Sequence, residues 1–249
     1  MKSEIRKNLN NDSLFPYIYT SSEKFVCFSK GINVNEFRFM CCIEVKELLG
    51  QKANDELKLL ELIEEVPIDS IYYHTHSYFL RHFYIIGPYP NDFANWAAIQ
   101  LRDRVLGEKL SSVTPSPQKS LEDIRLELID IIYQHLSSIK TIPFVVYGQP
   151  FYFMKSRIIK VPTGITVKNL AEFIAALKTV DASAIYNHFF ESLQRDRKGR
   201  SDFSRWFEEI LGLHELADKF ESIDSYMYSL EGLREKLLDL CSSELAHEK

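Results

Sequence analysis

The side chains able to transfer protons or bind metal gather in two stretches of this 249-residue chain. His74-Thr75-His76, with His82 a little further on, is the denser; in the other, His188 stands with Asp202 downstream. A histidine beside a carboxylate is a common general acid–base pair, so Asp92 and Asp202 are the candidate bases for His74 and His188. His74, His76 and His82 are the candidate metal ligands. On a helix His74 and His76 point to different sides, whereas His74, Tyr78 and His82 share one face. The matching positions of the second stretch hold His188, Ser192 and Asp196, so the ligand set is not repeated and neither a metal nor another cofactor is expected. The plainer reading makes His74 and His188 hydrogen-bonded members of the helix packing, Asp92 and Asp202 helix N-caps, and Trp96 and Trp206 core anchors.

Other chemistries leave little trace. There is no G-x-x-x-x-G-K-[ST], G-x-G-x-x-G, G-x-S-x-G or H-E-x-x-H. Cys41-Cys42 could hold a reactive thiol, but Lys155-Ser156 stands at the corresponding place and buried structural cysteine is the expectation. The charged run from Arg195 to Arg200 is the one dense cationic cluster. Arg195, Arg197, Lys198 and Arg200, together with Tyr72 and Tyr186, are the candidate ligand or partner contacts.

These residues sit in a stretch that occurs twice. From Phe37 to His74 and from Phe151 to His188 the chain aligns without a gap at an offset of 114, with identities at Phe37/Phe151, Phe39/Phe153, Met40/Met154, Gly50/Gly164, Tyr72/Tyr186 and His74/His188. Asp92-Phe93-x-x-Trp96 and Asp202-Phe203-x-x-Trp206 follow at an offset of 110. Leucine and isoleucine at helical spacing after Gly50 and after Gly164 predict amphipathic helices, with Asn54 and Thr166 as their N-caps. A second helix through His74 or His188, a third from Asp92 or Asp202, and a last one from Ser120 or Ser229 complete each copy. Phe25–Phe28 and Phe144–Tyr147 read as short strands ahead of each copy, while 37–45 and 151–161 are open between helix and strand. The fold expected is mainly α: two tandem homologous helical units of about four helices, with short strand-like lead-in segments, about a pseudo-two-fold axis. Residues 1–24 are assigned to a polar arm, 25–136 to the first unit, 137–150 to a linker and 151–245 to the second unit.

A net charge of −5 offers no basic face for nucleic acid, and no apolar run is long enough to span a membrane. Four cysteines without paired spacing, two of them adjacent, fit a reduced cytoplasm, and the polar N-terminus lacks the apolar core of a signal peptide.

With Tyr73-His74-Thr75-His76, Pro90-Asn91-Asp92-Phe93-Ala94-x-Trp96, Pro162-Thr163-Gly164, Ile185-Tyr186-x-His188 and Ser201-Asp202-Phe203-x-x-Trp206, residues 25–245 resemble a family of prokaryotic proteins described only as a domain of unknown function. The resemblance implies the tandem helical architecture and a prokaryotic cytoplasmic origin, and it brings no activity, cofactor or catalytic residue. Leu48-Leu49-Gly50 departs from the family's Pro-Thr-Gly at the corresponding turn of the first copy. The function expected is a non-enzymatic binding, scaffold or regulatory module with a protein partner. The competing reading is an enzyme acting on a small or carbohydrate-like ligand in a cleft between the units, through His74 and His188, with a metal at these histidines as a variant of that reading.

Overall fold

A computed structural model describes residues 35–84, 87–195 and 199–247. The fold is mainly helical with one small antiparallel sheet of two strands, β1 (Phe37–Ala53) and β2 (Phe151–Val167). Each strand has 17 residues. At about 3.3 Å per residue such a strand reaches roughly 55 Å, enough to run from one core to another. The segments left open at 37–45 and 151–161 are therefore strand. Phe144–Tyr147 is not: Phe144 makes a single bridge to Asp55, and Val146 and Tyr147 are exposed. The Phe25–Phe28 expectation lies outside the described residues.

The register runs from Phe37↔Val167 to Ala53↔Phe151 and is interrupted twice. Between Leu48 and Lys52 the extra residues lie in β1, around Gly50, and between Arg38 and Met40 they lie in β2, around Gly164. Both glycines are left-handed, with φ of 75° and 77°, and a Cβ on either would meet nothing within 4 Å. Gly50→Ala and Gly164→Ala are therefore expected to cost about 1 kcal/mol each, from backbone strain alone, read as a small fall in melting temperature.

A run of helices follows each strand. β1 leads to α1 (Glu56–Glu65), α2 (Ile68–Thr75) with a 3₁₀ turn at His76–Arg81, α3 (Asp92–Ile99), α4 (Arg104–Ser111) and α5 (Leu121–Ser138). After β2 come α6 (Leu170–Thr179), α7 (Ala182–Ile185), a π segment at Tyr186–Glu191, α8 (Ser192–Arg195), α9 (Asp202–Trp206), a π segment at Phe207–Leu211, α10 (His214–Glu221) and α11 (Leu230–His247). The caps differ from expectation. Asp55 and Asn169, not Asn54 and Thr166, accept the free N–H groups of α1 and α6, from Lys58 at 2.7 Å and Glu172 at 2.9 Å. Asn91 and Ser201 likewise cap α3 and α9, so Asp92 and Asp202 stand one residue inside the helix and are free of that duty.

Two hydrophobic clusters form, and the strands exchange between them. Phe37 and Phe39, which open β1, are buried with Phe173, Phe203, Trp206 and Phe220 of the second half. Phe151 and Phe153, which open β2, are buried with Leu59, Ile71, Phe93 and Trp96 of the first. The far ends return: Ala53 packs in the first cluster of helices and Val167 in the second. Each core is thus completed by two phenylalanines from the other half of the chain. Burying a phenylalanine is worth about 2–3 kcal/mol, so neither helical group retains its full core without the other's strand.

Candidate functional site

Where each strand enters the opposite core, a histidine receives it. His74 on α2 accepts the Met154 backbone N–H at Nε2 over 3.1 Å, and its Nδ1 lies 2.8 Å from Asp92 Oδ2. His188 accepts the Met40 N–H at Nε2 over 2.7 Å, and its Nδ1 lies 2.9 Å from Asp202 Oδ2. A two-stranded ribbon has only edge strands, whose outward N–H groups need partners once buried. The histidines supply them. Asn187 adds to this in the second half by donating to the Met40 carbonyl at 3.1 Å. An arginine braces each aspartate, Arg81 on Asp92 and Arg205 on Asp202.

The chemistry of these pairs follows from the tautomer. To accept an N–H at Nε2 while facing a carboxylate at Nδ1, the imidazole must be neutral and protonated on Nδ1. Burial agrees, holding His74 below the ordinary histidine range against the pull of Asp92. Both ring nitrogens are thus engaged within the protein. An open recess of about 360 Å³ does lie over His74, with Arg81, Asp92, Asn95 and Tyr152 around it. Its histidine presents no lone pair to a bound molecule.

The other candidate residues separate. His76 has Nδ1 3.0 Å from Thr75 Oγ1 and stacks on Tyr72, while His82 has Nδ1 2.7 Å from the Tyr78 carbonyl and stacks on Tyr78. The 3₁₀ turn breaks the shared helical face, and His74, His76 and His82 do not converge. Cys42 is buried, donates to the Ser183 carbonyl and has its thiol pushed up by burial; the thiol of half-buried Cys41 is raised by the same cause. Trp96 and Trp206 are both buried, and the Trp96 Nε1–H donates to the Gln149 carbonyl at 2.8 Å. Arg200 pairs with Glu208. Arg197 and Lys198, and the side chain of Arg195, lie outside the described residues.

Tyr72 and Tyr186 do come together. Their hydroxyl oxygens are 3.0 Å apart, Tyr72 donates to Glu191 Oε1, and Tyr186 Oη lies 3.3 Å from that oxygen and 3.3 Å from the His76 carbonyl. Burial pushes both phenols well above their ordinary range, so they stay protonated donors. The position 114 residues before Glu191 is Ser77, so the carboxylate is contributed by one half alone. Beside the pair lies a cavity of about 300 Å³ lined by Phe79, Pro115, Phe190 and Tyr226 and by the polar residues His76, Ser116, Glu191 and Ser225. Its lining comes from both halves of the chain.

A third polar cluster escaped the sequence reading. Glu56 opens α1, Asp103 caps α4 and His135 lies in the last turn of α5, and their ligand atoms all fall within 4.8 Å of one another. Glu56 and His135 are buried, and burial first, then the Asp103 charge, pushes the Glu56 carboxyl up to about 8. The legible signal was polarity at positions where the second half has Leu170 and Leu213.

Among the described residues, no helix is long and apolar enough to cross a membrane. No curated protein matches the chain. Among solved structures it is similar to OrfY from Thermoproteus tenax, with 26% identity and a TM-score of 0.64 over 84% of this chain and 94% of that one. Residues 34–242 match a family of unknown function, and the chain belongs to that family, DUF5752.

Proposed function

We propose that this protein is a non-enzymatic binding module, built from a duplicated helical unit whose two copies exchange strands about a pseudo-two-fold axis, with its ligand in the cleft between them. The observation that carries this is the full engagement of His74 and His188: Nδ1 faces an aspartate and Nε2 accepts a strand N–H in both. A general base needs a nitrogen within reach of the substrate proton. These histidines spend theirs on joining strand to core. Gly50 and Gly164, Asp55 and Asn169, and Tyr72 and Tyr186, each 114 residues apart, take matching backbone or contact roles, which supports the duplication.

The cleft fits a small hydroxylated ligand of about monosaccharide size. Phe79, Phe190 and Tyr226 offer apolar surface, and His76 and Glu191 offer polar groups for orientation. Saturation-transfer NMR against a panel of monosaccharides and polyols tests the reading. Binding by the wild type, weakened at least 10-fold by Phe190→Ala with the fold intact, is expected. Turnover of a ligand that disappears in His74→Gln while the melting temperature holds would overturn the non-enzymatic reading; absence of any contact to Phe190 or Tyr226 would move the site elsewhere.

A further inference from the structure

We propose that Glu56, Asp103 and His135 form a binding site for one divalent transition-metal ion of the Zn²⁺ or Mn²⁺ type. The three come from the start of α1, the cap of α4 and the end of α5, so packing and not sequence proximity brings them together. His135 Nε2 lies 2.9 Å from Asp103 Oδ2 and 3.7 Å from Glu56 Oε2. Two ligand atoms each about 2.1 Å from a common ion stand roughly 3.0–3.4 Å apart, a range these separations bracket. Asp103 Oδ1 accepts the Leu106 N–H at 2.8 Å, which turns Oδ2 toward the site. Two carboxylates and an imidazole are a borderline donor set whose two negative charges balance a divalent ion.

The unmet valences point the same way. Glu56 is fully buried, yet neither of its carboxylate oxygens accepts a hydrogen bond, and the polar groups beside it are Asp103 and His135 themselves. No lysine or arginine pairs with either carboxylate among the described residues. A buried carboxylate without a partner is costly and normally absent from a finished core. The fold does not demand it: Leu170 opens α6, and Leu213 stands where α10 would be capped, in the same places of the second half. Position 244, which corresponds to His135, holds a glutamate paired with Lys219. Asp103 retains 14% exposure of its side chain, which gives an ion a way in and leaves its remaining coordination to water.

The test is calorimetric titration of the EDTA-stripped full chain with ZnCl₂ and, separately, MnCl₂, alongside melting curves. One ion per chain is expected from at least one metal, raising the melting temperature by about 5 °C or more at 100-fold excess over Kd. Glu56→Leu, which copies the second half, should weaken that binding about 100-fold and abolish the shift. His135→Gln gives the same reading should Glu56→Leu fail to fold. No stoichiometric binding of either ion, or equal binding by wild type and folded variants, overturns the site.

Discussion

His74→Ala is expected to lower stability by about 3 kcal/mol, or roughly 6–12 °C in melting temperature for a chain of this size, through loss at a strand from the other half of the sequence. The substitution removes a ring in contact with Phe93, Phe151 and Phe153, leaves the Met154 N–H without its acceptor, and leaves Asp92 with Arg81 alone. Amide hydrogen exchange gives the diagnostic readout: protection at Met154 should fall far more than at Met40, whose N–H is held by His188. His74→Gln, which returns an oxygen near the Nε2 position, should recover part of the loss. The effect has a pH signature. Burial lowers the His74 pKa from the usual 6.5, so its contribution is present above that value and is lost as pH falls, when the unfolded chain takes up the proton first. His74→Gln should therefore show a shallower acid limb than wild type. A melting temperature within about 1 °C of wild type for His74→Ala, or unchanged exchange at Met154, would refute the clasp.

The exchange gives His74 and His188 a shared physical role. An edge strand that enters a core brings unpaired backbone polar groups with it, each costing about 1–3 kcal/mol if left unmet. A neutral imidazole offers one acceptor to the strand and one donor to an anchor, which no aliphatic side chain can do. Asp92 and Asp202 fix the tautomer, while Arg81 and Arg205 hold those carboxylates in place. The three side chains on each side form a clasp that a purely apolar core would lack.

The helices of this fold are legible because Leu57, Leu60 and Ile63, or Leu170, Phe173, Ile174 and Leu177, recur at helical spacing, although Leu57 is exposed and Leu59 and Leu62 complete the buried face of α1. The strands were not, because in the middle of β1 and β2 little is buried: among residues of β1 only Phe37, Phe39, Cys42 and Ala53 are, so period-two alternation never builds up. Asp92 and Asp202 were misread as caps for a local reason. Asn91 and Ser201 precede them and are equally able to cap, and the choice between neighbours was made by a histidine 18 or 14 residues upstream. The histidine-to-strand bonds span 80 and 148 residues, beyond any spacing argument. Tyr72 and Tyr186 were singled out by identity at the same offset, and they are the pair whose hydroxyls meet.

Glu56→Leu is expected to stabilise the metal-free protein, and to do so increasingly as pH rises. Two effects compete at this position. A carboxylate in the first turn of a helix gains about 0.3–1 kcal/mol from the helix dipole. Burial first, then the Asp103 charge and a hydrogen bond to Asp103, pushes the carboxyl from 4.5 up to about 8, which corresponds to about 5 kcal/mol against the charged form. The second effect wins. A raised acid pKa means the folded state holds its proton longer than the unfolded one, so stability is highest below pH 4.5 and declines as pH climbs toward 8. Leucine removes that decline, so the gain over wild type should be about 1 kcal/mol near pH 5 and about 4 kcal/mol near pH 8 in EDTA. A variant that melts lower than wild type at pH 8, or a gain independent of pH, would show that Glu56 is satisfied by contacts within the fold. With Zn²⁺ or Mn²⁺ in excess the order should invert, because the ion supplies the charge that the core withholds from Glu56. The first half would then keep at its core a group that weakens the empty protein, where the second half, with Leu170, has only packing to do.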